Sequence, residues 1–564
     1  MKACPGSGKT LTVAARIHRL LTDWDRPHAG IAALSFTNVA WQEIQSYLAN
    51  EFQISVPLGY PHFLGTIDSF INRFIFLPFG HRVMGCSARP ELTGPPHDDY
   101  EPIGRWLYWG NAECNRYCRL NDFTYDESGQ LVSLAPISHF KKCHSRHMQC
   151  IALKATFNSR GYATQSDANY FAMKLLENTP ELAKAMAHRF PTIIVDEAQD
   201  SSRIQMRIID SLIRAGVTEV MLAGDPYQAI YEWRQAEPQI FAQKFDEWKD
   251  NCVWLTESWR STQSICDLAC KLANSSDSIT ARDGGIATFD HAPVLYGYRD
   301  ETELPQVLET FRQHCLVKGI DPRNISVLTR SREFINSIIP GTVTGSDLSP
   351  WTDRDATSRQ IAFSKFLFDQ GEFRGALAKL GAAAYAHNTG TSSHRNRDVL
   401  EYGRSFGFGT WRGQLFRILC DLPESTGALS AWLPRANAVL SHYALFRGCT
   451  ASIKSDRMPN IYSALTFEEI FSTPAAGVEL TTTPMGTVHS VKGRTLEAVF
   501  LALKSQGAKG RRYVKLLGSD LSQEEELRIV YVAVTRARKA LAIAVPQSDL
   551  ARWRDLPFGS ADNP

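Results

Sequence analysis

The stretch Ala3-Cys4-Pro5-Gly6-Ser7-Gly8-Lys9-Thr10 restricts the fold of this chain more than any other. Backbone N–H groups can wrap a polyphosphate only where glycines tolerate close approach and positive φ. A lysine then reaches the β- and γ-phosphates, a threonine holds Mg²⁺, and the helix that opens there turns its positive end to the anion. Ala3, Pro5, Gly6, Ser7, Gly8, Lys9 and Thr10 are the expected nucleotide contacts, with one departure: Ala3 stands where the G-x-x-x-x-G-K-[ST] pattern has its first glycine. Such a loop follows a β-strand. The pattern begins at residue 3, which leaves no room for one, so either the start is incomplete or another segment fills that place.

With 564 residues the chain exceeds a single core, and three or four domains are expected. A formal net charge of +2 provides no bulk attraction for nucleic acid, so any such contact must be local. There is neither a run of eighteen apolar residues nor a signal-peptide layout, which suggests a cytoplasmic protein without membrane partners. The chain has twelve cysteines and no export signal, so reduced thiols are expected. Cys114, Cys118, Cys143, His144, His147 and Cys150 have loosely metal-like spacing but lack the C-x2-C pair. Incidental thiols and imidazoles are the simpler reading.

In chain order, Leu11–Leu21 has helical apolar spacing, and Ile31–Phe36 reads as a buried strand ending at Thr37-Asn38. A helix is expected from Val39 to Asn50, and Leu64–Phe70 opens an aromatic segment. Residues 81–185 lose the sheet rhythm, with helix returning over Thr164–Arg189. The rhythm resumes at Thr192-Ile193-Ile194-Val195-Asp196-Glu197, an apolar strand that delivers two carboxylates at its carboxyl end, where ligands gather in open α/β sheets. Asp196 is expected to hold Mg²⁺ with Thr10, and Glu197 to polarise the attacking water. An acidic turn capping the next helix is the bland alternative, and the loop upstream weakens it. A third strand, Val220–Asp225, precedes Gln228, which is placed to sense a γ-phosphate, and the segment Tyr231 to Arg234, suited to stacking on unpaired bases. Further elements are an arginine at 260, a strand at Ile325–Thr329, helical stretches at Ile361–Leu380 and Leu429–Phe446, strands near 485 and 498, a helix over Glu524–Arg538 and a last strand at Leu541–Val545.

In this order, Ala3–Thr10, Leu34–Ala40, Gly65–Phe70, Ile194–Asp200, Gly224–Arg234, Trp259–Ser261, Thr487–Gly493 and Tyr531–Arg538 resemble the motifs of superfamily 1 DNA helicases of the UvrD/Rep type. The resemblance implies an α/β fold of two RecA-like lobes with parallel sheets, each interrupted by a mainly helical insertion. The expected boundaries are 1–80 and 186–280 for the first lobe, 81–185 for its insertion, 281–340 and 478–556 for the second lobe, 341–477 for a reduced second insertion, and 557–564 for a tail.

By position, the resemblance makes Lys9, Asp196, Glu197, Gln228, Arg260 and Arg536 catalytic and adds Gly493 and Arg536 to the nucleotide contacts. It places Phe36, Thr37, Asn38, Thr66, Trp233, Arg234 and His489 against DNA. It also implies ATP and Mg²⁺, and 3′→5′ travel on single-stranded or tailed duplex DNA in repair or anti-phage defence. Asp68 stands where the family often has His, and Thr495 where it has an acid; either Glu497 replaces that acid or the ribose contact is lost. Gly65–Phe70 and Trp233–Pro238 are similar to the helicase subunit of the Gabija anti-phage system, which works beside an OLD-family nuclease. That likeness opens a second reading: a regulatory component that senses ATP and DNA for a nuclease complex and unwinds little by itself.

Overall fold

The apolar runs assemble into two parallel sheets in a computed structural model that describes residues 1–56, 58–94, 96–97, 123–133, 147–231, 237–275, 278–283, 286, 289, 291–331, 334–335, 338, 356–391, 396–452, 466–471, 485–507 and 510–559. In the first half, β1 (Lys2–Ala3) leads through the glycine loop into α1 (Lys9–Thr22). Then come β2 (Ile31–Ser35), α2 (Asn38–Asn50), β3 (Phe63–Thr66) and α3 (Ile67–Ile71). After the intervening region the chain continues through α4 (Gln165–Asn178), α5 (Pro180–Arg189), β4 (Thr192–Val195), α6 (Arg203–Arg214), β5 (Glu219–Leu222) and β6 (Trp254–Leu255). The sheet order is β3-β2-β4-β5, parallel throughout. Helices cover both faces, so β2 and β4 are buried at every position and read as continuous apolar runs without alternation.

Two corrections to the sequence reading concern this half. A strand does precede the loop: β1 pairs in parallel with β6, and Ala3 N–H donates to Gly224 O at 3.1 Å. Its other side is closed by β6, from far along the chain. The insertion is also shorter than 81–185. Phe171, Leu175 and Leu176 of α4 and Met186 of α5 share one core with Ile193, Val195 and Ile208, so both helices are built into the lobe.

Helix α7 (Gln263–Leu272) corrects the boundary at 280. Ile265, Leu268 and Leu272 pack with Leu501, Val530 and Val534 of the second half. There, β7 (Val294–Tyr298) and β8 (Ile325–Thr329) precede a helical unit of α8 (Ala356–Asp369), α9 (Phe373–Thr389), α10 (Asn396–Ser405), α11 (Phe408–Asp421) and α12 (Leu429–Ser441). The unit has a core of its own, with Ile361, Leu380, Trp411, Ile418 and Trp432 buried together. The helix expected over Ile361–Leu380 is broken at Gly371, whose φ of +81° no helix accommodates. The chain returns as β9 (Met485–Thr487), β10 (Leu496–Ala502), α13 (Glu525–Val534) and β11 (Ala537–Pro546), giving the parallel order β7-β11-β10-β8-β9.

Helix α13 is buried at all ten positions and stops well short of Arg538. Arg536 O accepts from Leu496 N at 2.9 Å and Ala537 pairs with Leu496, so sheet bonding claims the residues that helical spacing had assigned to α13. Among the described residues no helix is long and apolar enough to cross a membrane, and no group of three or more His, Cys, Asp or Glu could hold a metal ion. The Cys114–Cys150 cluster lies outside the residues whose side chains are described, as do Trp233 and Arg234.

Candidate functional site

Strands β2, β3 and β4 run parallel, so their carboxyl ends deliver Phe36-Thr37-Asn38, Thr66 and Asp196-Glu197 to one edge of the sheet, beside the glycine loop. Gly6 and Gly8 both have φ of +76°. Gly8 is the N-cap of α1 in left-handed geometry, which aims the first turn of that helix into the loop. The N–H groups of Ala3 and Cys4 are committed to Gly224 O and Leu255 O. Ala3 is therefore a sheet residue rather than a phosphate contact, and the wrapping portion begins at Pro5.

Lys9 Nζ lies 2.8 Å from Asp196 Oδ1 and 2.6 Å from Glu197 Oε1, bridging the two carboxylates. Burial by itself lowers the Lys9 ammonium, but the two carboxylates outweigh it and hold the group above the ordinary lysine value. Burial likewise pushes Glu197 up, and Lys9 and Lys492 pull it down to about 2. Thr10 Oγ1 donates to Asp196 Oδ2 at 3.1 Å, so a hydroxyl and a carboxylate of the type that suits Mg²⁺ stand together. Glu197 has φ of +54°, a strained conformation for a side-chain-bearing residue, which the surrounding bonds impose. Its N–H donates to Asp196 Oδ1 at 2.9 Å, and Gln199 Nε2 donates to its Oε2. The Ser7 Oγ atom is buried in the loop without a hydrogen-bond partner, as a phosphate-facing hydroxyl would be.

The second half supplies two arginines. Arg536 is 1% exposed, and its guanidinium donates to Gln228 Oε1 at 2.8 Å, Val532 O at 3.2 Å and Arg494 O at 3.4 Å. Gln228 in turn donates to Asp225 Oδ2 at 2.8 Å. Burial and then the neighbouring Arg260 pull Arg536 down to about 9. Arg260 donates to Thr495 Oγ1 at 2.9 Å and Thr535 O at 3.1 Å, and burial lowers it as well. Its neighbour Trp259 is 58% exposed and donates its backbone N–H to Gly6 O at 2.9 Å, which sets an open indole beside the loop. Thr495, where the resemblance expects an acid, thus holds Arg260. Glu497 faces Lys539 at 2.6 Å instead.

A row of rings spans the two halves on the expected DNA side. Phe36 lies 5.5 Å from Tyr231, and Tyr231 lies 6.1 Å from His489, whose imidazole is 3.1 Å from Ile230 O. Lys492 Nζ sits 4.7 Å above the Tyr231 ring and 2.5 Å from Asp200 Oδ2. Sequence reasoning missed this bridge, since neither a lysine nor the last acid of a turn signals a partner 292 residues away. Thr37 and Thr66 serve as N-caps, accepting from Ala40 N at 3.3 Å and Ser69 N at 3.1 Å, and Asn38 Oδ1 accepts from Trp41 Nε1 at 3.1 Å. Gly493 has φ of +87° and open space at its Cα.

A family description of the UvrD/REP helicase N-terminal domain matches residues 1–82 and 140–249, and one of the UvrD-like helicase C-terminal domain matches 460–548. The chain belongs to the UvrD/Rep-type helicases. It is 29% identical to DNA helicase II of Haemophilus influenzae over 96% of this chain and 81% of the relative. It is also 38% identical to one chain of the ATP-dependent helicase/nuclease of Streptococcus thermophilus, over 107 residues that make up 18% of this chain and 9% of that protein. A similar short match, 35% over 105 residues, is to the exonuclease/helicase subunit RexA of Streptococcus pneumoniae, covering 18% of this chain and 8% of the relative. This helicase is an ATP-dependent DNA enzyme by class, and the loop, carboxylates and arginines described above lie on its motifs.

Proposed function

We propose that this helicase moves 3′→5′ on single-stranded DNA by closing its two halves on ATP, and that Arg536 reports closure. The observation that carries this reading is the hydrogen bond from Arg536 to Gln228. It ties an arginine of the second half to a residue of the first half that is itself bonded to Asp225. Arg536 and Arg260 stabilise the charge that develops on the γ-phosphate, and they reach it only when the halves meet. Mg²⁺, held by Thr10 and Asp196, would neutralise phosphate charge. Lys9 exchanges the Asp196 and Glu197 carboxylates for phosphate oxygens, and its departure frees the Glu197 carboxylate to orient water. Trp259 offers an indole face to the base of the nucleotide. Phe36, Tyr231 and His489, together with Trp233 and Arg234, hold bases of the single strand.

The decisive experiment pairs ATP hydrolysis, with and without single-stranded DNA, with unwinding of 3′- and 5′-tailed duplexes. Turnover that rises with DNA, is lost in Lys9→Ala, and opens only the 3′-tailed duplex supports the reading. A preference for the 5′ tail rejects the direction, and turnover without unwinding rejects an autonomous motor. In that last case the similarity of Gly65–Phe70 and Trp233–Pro238 to the Gabija helicase subunit makes the regulatory reading the stronger one. An OLD-family nuclease is then the partner to add, and anti-phage defence rather than repair is the setting. Either setting is cytoplasmic.

A further inference from the structure

Asp68 lies in the first turn of α3, directly after the Thr66 cap at the carboxyl end of β3. Its Oδ1 accepts from Gln205 Nε2 at 2.8 Å and from Asn169 Nδ2 at 3.0 Å. Gln205 uses both ends of its amide. Its Oε1 accepts from Ser202 N at 2.9 Å, closing a reciprocal cap in which Gln205 N donates to Ser202 Oγ at 3.2 Å. Capping α6 needs only that oxygen. The amide nitrogen instead reaches a carboxylate 137 residues away in sequence, and a hydrogen bond to an ionised acceptor is the stronger kind. Ser202 is two residues past Asp200, the last acid of the segment that begins at Asp196. Asn169, on α4, is fixed from behind by Gln165 Nε2 at 3.1 Å. Gln205 and Asn169 are 4% and 9% exposed and Asp68 is half-buried, so the donor side of these bonds is shielded from water.

We propose that Asp68 is a positioning residue: it couples the turn Thr66–Ser69 to the acidic segment Asp196–Asp200 through Gln205, so that DNA seated on the turn sets the geometry of the hydrolytic carboxylates. The proposal rests on the reading that DNA crosses the carboxyl ends of the first sheet. The Asp68 carboxylate is turned to two amides of the fold rather than offered to phosphate or base. A shift of the turn must move Gln205, and Gln205 cannot move without pulling on the cap at Ser202. One side chain thus links the two segments, with a discrete hydrogen bond at each end.

The test uses the full chain and four proteins: wild type, Asp68→Leu, Gln205→Glu, and the double variant Asp68→Asn with Gln205→Glu. The glutamate introduced by Gln205→Glu keeps the acceptor for Ser202 N but sets a carboxylate against Asp68. In the double variant the introduced asparagine donates to that glutamate and still accepts from Asn169. The readouts are kcat for ATP with and without oligo(dT), the KM for ATP, the Kd for oligo(dT) and the thermal midpoint. Expected are a loss of about tenfold in the DNA stimulation ratio for each single variant and recovery in the double variant. Turnover without DNA, the KM and the Kd should stay within about twofold of wild type, since no contact to nucleotide or DNA is removed. An unchanged ratio in both single variants overturns the proposal. So does a parallel fall in turnover with and without DNA, which marks a merely structural residue. A wild-type chain with measurable turnover and no stimulation by DNA removes the underlying reading, and the proposal falls with it.

Discussion

Replacing Arg536 with methionine should nearly abolish turnover while leaving the protein as stable as before, or more so. The guanidinium is 1% exposed, and burial followed by the like charge of Arg260 pulls it from 12.5 to about 9. A displacement of that size corresponds to about 5 kcal/mol against the charged form. The bonds to Gln228, Val532 and Arg494 return part of that at about 1–2 kcal/mol each, and methionine fills much of the space without a charge. Three such bonds roughly offset the cost of the buried charge, so an apolar side chain of similar volume should leave stability about unchanged or slightly raised. Arginines of this role supply about a thousandfold or more in kcat. The assay is steady-state ATP hydrolysis with saturating oligo(dT), beside a thermal unfolding scan of both proteins. A kcat within about tenfold of wild type refutes the catalytic assignment. A midpoint lowered by more than about 5 °C refutes the electrostatic argument, because the residue would then be holding the two halves together.

Other predictions follow from the same geometry. In Lys9→Ala, Asp196 and Glu197 lose the cation between them, so Glu197 should titrate well above about 2 and the thermal midpoint should fall, which NMR of the labelled carboxyl and a melting scan would read. Asp225 is raised by burial to about 6, so the folded state holds its proton more tightly than the unfolded one. Its contribution to stability is complete below the unfolded value of 3.8 and is lost as pH rises through about 6. Asp225→Asn should therefore make the decline in urea stability from pH 4 to 6 shallower, by up to about 1.4 kcal/mol per pH unit, and an unchanged slope would count against the shift. Gly6→Ala places a Cβ 2.5 Å from Arg260 Cβ and 2.7 Å from Ser258 Oγ at a φ of +76°. It should raise the KM for ATP and lower the thermal midpoint, with about 1–3 kcal/mol of strain. Lys492→Met cuts the bridge from Asp200 to the Tyr231 ring and should weaken DNA stimulation more than turnover without DNA, which paired ATPase assays would detect.

By itself the sequence determined the parts whose chemistry is local. Gly6, Gly8, Lys9 and Thr10 must be adjacent to wrap a phosphate, and Asp196-Glu197 must follow an apolar strand to reach its carboxyl end. Their spacing therefore carries the meaning, and the buried strands β2 and β4 announce themselves as apolar runs. Tertiary structure decided whatever depends on a partner far along the chain. It made Lys2–Ala3 a strand by supplying β6, drew α7 into the second core, and ended α13 early so that Arg536 could face Gln228. It also turned Asp68 inward to Gln205 and set Lys492 on Asp200, choices that no window of sequence records. The physical reason is the same in each case. Hydrogen-bond partners and buried neighbours are fixed by the packing of whole elements, and packing overrides the weak local preference of a residue whenever its partner comes from another part of the fold.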